Sequence, residues 1–175
     1  VAVTKLGNTL ILDRETGELL RANNYVRTNW ATHIDLNTGR PVLNPDKDYY
    51  KKAEWILPGT FGGHGWQAMS YDPKQRLVFI PTMEIVAVHK VKESYSKTGL
   101  YKMQPQTVNT GTEFNLWGTV PDMSDGESIP PITGELIAFD PITGKTKWSI
   151  QHEQFWNGGP LTTAGNLVFQ GNASG

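Results

Sequence analysis

The chain alternates short apolar runs with polar turns along most of its length. Apolar runs at 9–12, 77–80 and 136–139 are each followed or preceded by clusters of Asp, Asn, Gly and Pro. Runs of this length with turn residues at their ends are typical of β-strands. No stretch shows a convincing 3.6-residue period, so the pattern predicts an all-β protein.

One turn sequence recurs after these apolar runs. Asp-x-x-Thr-Gly occurs at 13–17, 35–39 and 140–144, and a degenerate copy at Asp72 lacks the Thr-Gly pair. The Asp carboxylate can accept backbone N–H groups of a turn, and Gly tolerates a positive φ. One copy would indicate only a good hairpin turn, but three copies favour a repeated sheet.

The same pattern predicts individual strands. Strand pairs are expected within the following ranges: 6–20, 25–45, 69–81, 136–150 and 161–171. A Gly-rich loop is expected at 57–66. Residues 83–131 are predicted to form a long irregular excursion, with short strands at 86–88 and 114–117.

The segment from Ala138 to Trp148 is typical of the outer corner of a β-propeller blade, with Trp148 as a large apolar plug. A blade of this type takes about 40–45 residues, so the 175 residues supply about three to four blades of one partial domain, 1–175. Closed propellers have about four to eight blades, so an incomplete arc is expected. Its open sheet edges predict pairing with the remaining propeller segments or self-association.

The composition limits the kinds of molecule that the chain is expected to bind. The chain is 38% hydrophobic with a formal net charge of −1, as expected for a soluble globular protein that binds no nucleic acid. No apolar run approaches 18 residues, so no membrane insertion is expected. The chain has no cysteine, which excludes disulfides and thiolate metal sites.

Several segments together resemble one enzyme family, in collinear order over nearly the whole chain. They are 5–14, 28–41, 62–66, 69–73, 155–159 and 163–171. Their amino-acid sequences resemble those of the pyrroloquinoline quinone (PQQ) dependent alcohol dehydrogenases, which include quinoproteins and quinohaemoproteins. Trp148 resembles the tryptophan docking motif that joins neighbouring blades of their eight-bladed propeller.

The resemblance implies a function and its cofactors. In that family PQQ lies near the propeller axis with a calcium ion, and haem c is present in some members. The enzymes oxidise primary or secondary alcohols to aldehydes or ketones in the periplasm. Electrons pass to an external acceptor such as cytochrome c.

Four residues stand at positions that bind the cofactor in the family, and one of them departs from the family pattern. Lys5 stands where the family has a cation that contacts the quinone oxygens, and Trp66 and Trp156 match aromatic positions near the cofactor chamber. Gly65 stands where the family usually has an Asn whose amide binds the quinone. A water or the Gly65 N–H substitutes for that amide, or quinone binding is altered.

Each of these residues also has a plain structural interpretation. Lys5 could be an ordinary exposed turn lysine, and the two tryptophans could be packing residues. His64 shares the Gly-rich motif but is given no catalytic role, because a lone His is more often a hydrogen-bonded structural residue.

The family's catalytic Asp and its calcium ligands lie upstream of the position that matches Lys5. The resemblance therefore assigns no catalytic residue and no metal ligand to this chain, which alone is expected to be inactive. The competing hypothesis is a non-catalytic propeller scaffold for protein–protein interaction. Such a scaffold would share the Asp-x-x-Thr-Gly corner, but not Lys5 together with the loops at 62–66 and 156–159.

Overall fold

The computed structural model describes residues 1–100, 102–106, 109–113, 128–172 and 174. Short antiparallel strands dominate this part of the chain. The strands are β1 (Ala2–Val3), β2 (Asn8–Leu12), β3 (Leu19–Asn24), β4 (Ala31–Ile34), β5 (Pro41–Leu43), β6 (Glu54–Ile56), β7 (Ser70–Asp72), β8 (Leu77–Glu84), β9 (Ala87–His89), β10 (Thr133–Asp140), β11 (Lys145–His152), β12 (Asn157–Thr162) and β13 (Val168–Asn172). A 3₁₀ helix (Pro45–Lys47) and the short helix α1 (Glu93–Thr98) accompany them.

The repeated Asp turns connect strands as the sequence predicts. Asp13 Oδ1 accepts the N–H groups of Glu15 and Thr16 at 2.9 and 2.8 Å. Asp35 and Asp140 accept the equivalent N–H groups two and three residues later. The turns close on glycines with positive φ: Gly17 at +77°, Gly39 at +68° and Gly144 at +72°.

The degenerate fourth copy reaches the same geometry without glycine. Asp72 Oδ1 accepts the N–H groups of Lys74 and Gln75 at 2.8 and 3.2 Å. Arg76, one residue further on, has a φ of +59° and adopts the left-handed conformation itself. The carboxylate, rather than the Thr-Gly pair, is thus the shared element of the four turns.

A four-stranded sheet is the largest sheet of the described residues. Its spatial order is β7–β8–β10–β11, with all three strand pairs antiparallel. Alternate residues of β8 and β10 enter two apolar clusters: Ile80 and Phe139 pack with Tyr25 in one, and Phe79 packs with Ala138 in the other. The central strands are therefore buried on both faces, as expected for a blade packed between neighbours.

Trp148 lies in the middle of the outer strand β11. It pairs with Ala138 of β10, and its ring lies 5.5 Å from the ring of Phe79, measured between centroids. It therefore packs against the Phe79 cluster, on the opposite face from Phe139. The indole is still 38% exposed.

The region predicted as an irregular excursion contains more regular structure than expected. β8 continues to Glu84. The short strand predicted at 86–88 is present as β9, and it pairs with β6, a strand within a segment whose sequence shows no clear period. The fold is nearly all-β, as predicted. The short helix α1 has no signal in the sequence, because its six residues are too few to show a helical period. The strand predicted at 114–117 lies outside the described residues.

Candidate functional site

Lys5 lies in the turn between β1 and β2, directly against the Gly-rich loop. The Gly63 N–H donates to the Lys5 carbonyl at 2.9 Å. Gly62 has a φ of +82°, and a Cβ at this position would lie 2.6 Å from the same carbonyl oxygen. The two glycines thus allow the loop backbone to approach Lys5 more closely than any side chain would permit.

Tyr25 supports this turn from the protein interior. Its hydroxyl donates to the Thr4 carbonyl at 2.8 Å, and burial raises its pKa above the ordinary value. A Cβ on Gly63 would lie 2.9 Å from the Tyr25 hydroxyl oxygen, so this glycine also faces a close neighbour. The backbone on either side of Lys5 is therefore fixed by the core.

The Lys5 side chain itself is exposed. Its methylenes run along Gly62, and no carboxylate of the described residues forms an ion pair with it. A cation on a fixed backbone, with its charge uncompensated within the described part of the chain, is suited to bind an anionic or polar ligand atom.

Gly65 lies at the exposed end of the loop. Its N–H donates to Gln67 Oε1 at 3.2 Å, so this donor already has an acceptor. A Cβ on Gly65 would lie 3.1 Å from that oxygen and 3.5 Å from Met83 Cε. A larger residue would fit after a small shift of the Gln67 side chain, which means that packing alone does not require glycine here.

Trp66 and Trp156 come together although they are far apart in the sequence. Their ring centroids lie 6.3 Å apart with an interplanar angle of 49°. Trp66 is 73% exposed, whereas Trp156 is half-buried between Phe61 and Phe155, at 5.8 and 6.0 Å between centroids. The Trp66 indole is therefore largely accessible to a ligand. The Trp156 indole is held in place by its two phenylalanine neighbours.

His64 has a structural role. It is 8% exposed, and its Nδ1 lies 2.9 Å from the Pro81 carbonyl oxygen on β8. This hydrogen bond ties the Gly-rich loop to the four-stranded sheet and fixes the residues on both sides of it.

Lys5 also lines a groove that the sequence did not indicate. The groove has a volume of about 770 Å³ and mostly apolar walls. Its lining includes Leu6, Trp30, Tyr49, Tyr50 and His89. The sequence feature that could have indicated the groove is the concentration of aromatic residues at 49–55. That segment shows no hydrophobic period that would assign it to a strand or a helix. A more open depression of about 500 Å³, between Arg21 and His33, contains none of the predicted site residues.

Burial changes the protonation equilibrium of the His89 imidazole. It lies on β9, with its ring 5.7 Å from Tyr49, and burial lowers its pKa below the ordinary value. The ring is therefore neutral near pH 7 and adds no positive charge to the groove.

Two further findings concern metals and membranes. The described residues contain no cluster of three or more His, Cys, Asp or Glu side chains arranged to hold a metal ion. Neither helix in the described ranges has the length and apolarity required to cross a membrane.

Comparison with protein families gives an extended match. Residues 27–175 match the family model of the glucose, ethanol and alcohol dehydrogenase β-propeller domain, designated PQQ. This covers well over half of the chain, and the residues around Trp66, Trp148 and Trp156 lie inside it.

Individual relatives agree with the family match. The chain is 37% identical over 173 residues to the quinohemoprotein alcohol dehydrogenase ADH IIB of Pseudomonas putida, covering 98% of this chain and 23% of the relative. It is 39% identical over 179 residues to the dehydrogenase subunit of the quinone alcohol dehydrogenase of Acetobacter aceti, covering 100% and 23%. The chain thus spans about a quarter of the length of the curated relatives it matches.

Solved structures show the same relationship. The structure of quinohemoprotein alcohol dehydrogenase ADHIIG from Pseudomonas putida HK5 matches with a TM-score of 0.79 and 32% identity, covering 98% of this chain and 25% of that one. A europium-containing methanol dehydrogenase matches with a TM-score of 0.73 and 26% identity, covering 95% and 27%. The expected fold, a partial and unclosed β-propeller of this type, is confirmed, and the comparisons do not favour a non-catalytic scaffold. The chain belongs to the β-propeller family of PQQ-dependent alcohol dehydrogenases.

Proposed function

We propose that the protein containing this chain is a PQQ-dependent alcohol dehydrogenase that oxidises primary or secondary alcohols to aldehydes or ketones. Its electrons pass to an external acceptor such as cytochrome c. The names of the relatives support the reaction class. This chain supplies one wall of the cofactor site and is inactive alone, while the catalytic Asp and the calcium ligands come from other parts of the protein.

The placement of Lys5 against the Gly-rich loop is the observation that carries this proposal. Its backbone is fixed by the Gly63 N–H, and its ammonium group has no carboxylate partner among the described residues. When bound, PQQ accepts the two electrons and two hydrogens removed from the alcohol. The role of Lys5 is to stabilise the negative charge that develops on the cofactor oxygens during that transfer.

The residues present fit part of a PQQ site. PQQ is planar and carries carboxylate and carbonyl oxygens, so a cation and exposed indole surfaces are suitable contacts. Lys5 offers the cation, and Trp66 and Trp156 offer the indoles. Gly65 offers only an N–H, which already donates to Gln67, so we propose that this edge of the cofactor is held less tightly than in relatives with Asn.

Calcium does not fit the described residues, because no cluster of suitable side chains is present among them. We therefore route no step through calcium and assign its ligands to segments outside this chain. The quinohemoprotein names of two relatives support a haem as an electron relay in the intact protein. Haem c as its type and the periplasm as the compartment are proposed from the family resemblance alone.

The test uses the intact protein, loaded with PQQ and calcium, in dye-linked oxidation of a panel of alcohols. We expect Lys5→Ala to lower kcat by about 100-fold, since removal of one charge-stabilising group costs on this order. Lys5→Arg should retain much of the activity. Lys145→Ala, an exposed lysine on β11, is the matched control and should leave kcat unchanged. Equal activity of Lys5→Ala and Lys145→Ala would refute the proposed role of Lys5.

Gly65→Asn tests the altered edge of the cofactor site separately. The available space admits the new side chain after a small shift of Gln67. We expect PQQ to bind several-fold more tightly, because the amide adds a hydrogen bond of about 1 kcal/mol. Unchanged affinity in equilibrium titration would place Gly65 away from the cofactor.

A further inference from the structure

Tyr25, directly after β3, binds both ends of the turn that carries Lys5. Its hydroxyl donates to the Thr4 carbonyl at 2.8 Å, and its N–H donates to the Gly7 carbonyl at 3.0 Å. The turn is also closed within itself, since the Gly7 N–H donates to the Thr4 carbonyl at 3.2 Å. One residue outside the turn therefore holds the backbone on either side of Lys5.

The Tyr25 ring connects this turn to the largest sheet. Tyr25 is 6% exposed and packs with Ile80 of β8 and Phe139 of β10, both of which are fully buried. A ring that is packed on the central strands of a sheet has little freedom to move. The hydroxyl therefore fixes the Thr4 carbonyl relative to the four-stranded sheet.

The Gly-rich loop closes on the same hydroxyl from the other side. A Cβ on Gly63 would lie 2.9 Å from the Tyr25 hydroxyl oxygen and 3.3 Å from Tyr25 Cζ, so glycine leaves room for the phenol. The Gly63 N–H donates to the Lys5 carbonyl at 2.9 Å. Tyr25 and Gly63 thus bind the consecutive carbonyls of Thr4 and Lys5 from adjacent positions.

Packing alone does not require a tyrosine at this position. A buried hydroxyl lowers stability unless it forms a hydrogen bond, and phenylalanine offers the same ring to the apolar cluster without that requirement. The group that distinguishes Tyr25 from phenylalanine is the hydroxyl, and its acceptor is the carbonyl directly before Lys5.

We propose that Tyr25 is a positioning residue for the oxidation of the alcohol, because its hydroxyl holds the turn that places the Lys5 ammonium group at the cofactor oxygens. The proposal rests on the proposed function, in which Lys5 stabilises the charge that develops on those oxygens. Misplacement of such a group by about 1 Å is enough to lower a rate strongly.

The first experiment uses Tyr25→Phe in the intact protein loaded with PQQ and calcium. This substitution keeps the ring in the core and removes only the hydroxyl. We expect kcat for the preferred alcohol to fall by about threefold to tenfold, the worth of one hydrogen bond. KM for the alcohol should stay unchanged, because Lys5 acts on the cofactor and not on the bound alcohol.

Thr82→Val is the matched control for the loss of a buried hydroxyl. Thr82 is 4% exposed, and its hydroxyl donates to the Glu135 carbonyl at 3.2 Å within the four-stranded sheet. The control should lower the thermal unfolding midpoint as Tyr25→Phe does, but leave kcat unchanged. An equal loss of kcat in the two variants would overturn the proposal, since the loss would then follow stability alone.

Lys5→Ala separates a positioning role from a purely structural one. When no ammonium group is left to be positioned, adding Tyr25→Phe should lower kcat no further. The same fold loss with and without Lys5 would show that Tyr25 does not act through Lys5. That result would overturn the positioning role while leaving the proposed function intact.

Amide hydrogen exchange tests the turn without turnover or cofactor. Peptides of the intact protein that contain the Gly7 and Gly63 amides report the hydrogen bonds to the Thr4 and Lys5 carbonyls. We expect faster exchange of both amides in Tyr25→Phe than in wild type or Thr82→Val. Exchange and kcat that both equal those of wild type would overturn the proposal.

The positioning role and the proposed function fail in different ways. If the loaded protein oxidises no alcohol, the proposed function is wrong, and with it the contribution of Tyr25 to the reaction. Faster exchange of the Gly7 and Gly63 amides in Tyr25→Phe would then still assign Tyr25 to the Lys5 turn. Unchanged exchange in that inactive protein would overturn both.

Discussion

The backbone of Gly62 lies against Lys5 so closely that a methyl group at residue 62 would come within 2.6 Å of the Lys5 carbonyl oxygen. The φ of Gly62 is +82°, a conformation that other residues adopt only with strain. Two independent constraints thus require glycine at this position. The close contact involves Lys5, the residue that we propose to contact the cofactor.

Gly62→Ala should destabilise the intact protein by about 3 kcal/mol, the sum of backbone strain and the contact with Lys5. The thermal unfolding midpoint reports the loss, and a PQQ titration reports displacement of Lys5. Gly17→Ala is the matched control, because Gly17 has a similar φ of +77° but a methyl group there would meet no heavy atom of the described residues within 4 Å. It should cost about 1 kcal/mol and leave PQQ affinity unchanged. Equal effects of the two substitutions would show that the contact with Lys5 contributes nothing.

The Asp turns predict a pH dependence of stability. The Thr16 and Glu15 N–H groups lower the pKa of Asp13 below its ordinary value of 3.8, and the Thr38 and Asn37 N–H groups do the same for Asp35. A folded-state pKa below the unfolded one means that the carboxylates stabilise the fold above the unfolded value. That contribution is lost as the pH falls through the folded pKa.

Asp13→Asn keeps an acceptor oxygen but removes the charge. We expect a lower thermal unfolding midpoint than wild type at pH 7, and a smaller difference at an acidic pH below the lowered folded-state pKa of Asp13, where the wild-type carboxyl is protonated. The comparison of thermal scans at the two pH values is the measurement. The same deficit at both pH values would mean that the charge of Asp13 does not contribute to turn stability.

The sequence predicted those parts of the fold whose determinants are local. The turns at Asp13, Asp35 and Asp140 depend on residues within five positions, so their pattern was sufficient. The pairing of β6 with β9 depends on Glu54 meeting His89, and the groove depends on Lys5 lying near Tyr49. Such contacts are set by tertiary packing, which local spacing does not encode.

The candidate site shows the same difference between features that depend on local sequence and features that depend on tertiary packing. The resemblance identified Lys5, Gly65, Trp66 and Trp156, and the structure joins Lys5 to the Gly-rich loop and Trp66 to Trp156. The acceptor of the Gly65 N–H could not be predicted, because it depends on the side-chain rotamer of Gln67. Direct contact of these residues with a cofactor stays a prediction.

Removal of the Glu54 carboxylate should have a large effect on stability next to the groove, which the partner of Glu54, Lys47, lines. Glu54 is 1% exposed, and its carboxylate lies 3.3 Å from the ammonium groups of both Lys47 and Lys52. Lys47 also lies over the Trp55 ring, 4.3 Å from its centroid. Glu54→Ala should cost about 3 kcal/mol, because it removes the carboxylate from a lysine whose side chain is only 9% exposed.

An exposed ion pair provides the control for Glu54. Glu93 and Lys97 pair on α1 with side chains 74% and 70% exposed, so Glu93→Ala should cost less than about 0.5 kcal/mol. Thermal unfolding of the intact protein distinguishes the two losses. The double variant E54L/K47M should recover part of the stability, since replacing both partners of a buried pair with apolar residues is often tolerated. A loss in Glu54→Ala no greater than that in Glu93→Ala would refute the importance of burial here.

Truncation of Trp148 tests how much the packing of the outer strand β11 on the core of its sheet contributes to stability. The Trp148 ring lies 5.5 Å from that of Phe79, which is 1% exposed, and Trp148 pairs with Ala138 across β10 and β11. Trp148→Ala should destabilise the intact protein by about 3 kcal/mol, because it removes a large aromatic surface from a fully packed partner. Trp148→Phe retains an aromatic contact and should lose less than half as much stability.

Ile150→Ala is the control on the same strand, since Ile150 is 53% exposed and its truncation should cost under about 1 kcal/mol. If the thermal midpoint falls equally in Trp148→Ala and Ile150→Ala, Trp148 is only one of several surface contacts of β11, and the proposed docking role between blades is wrong.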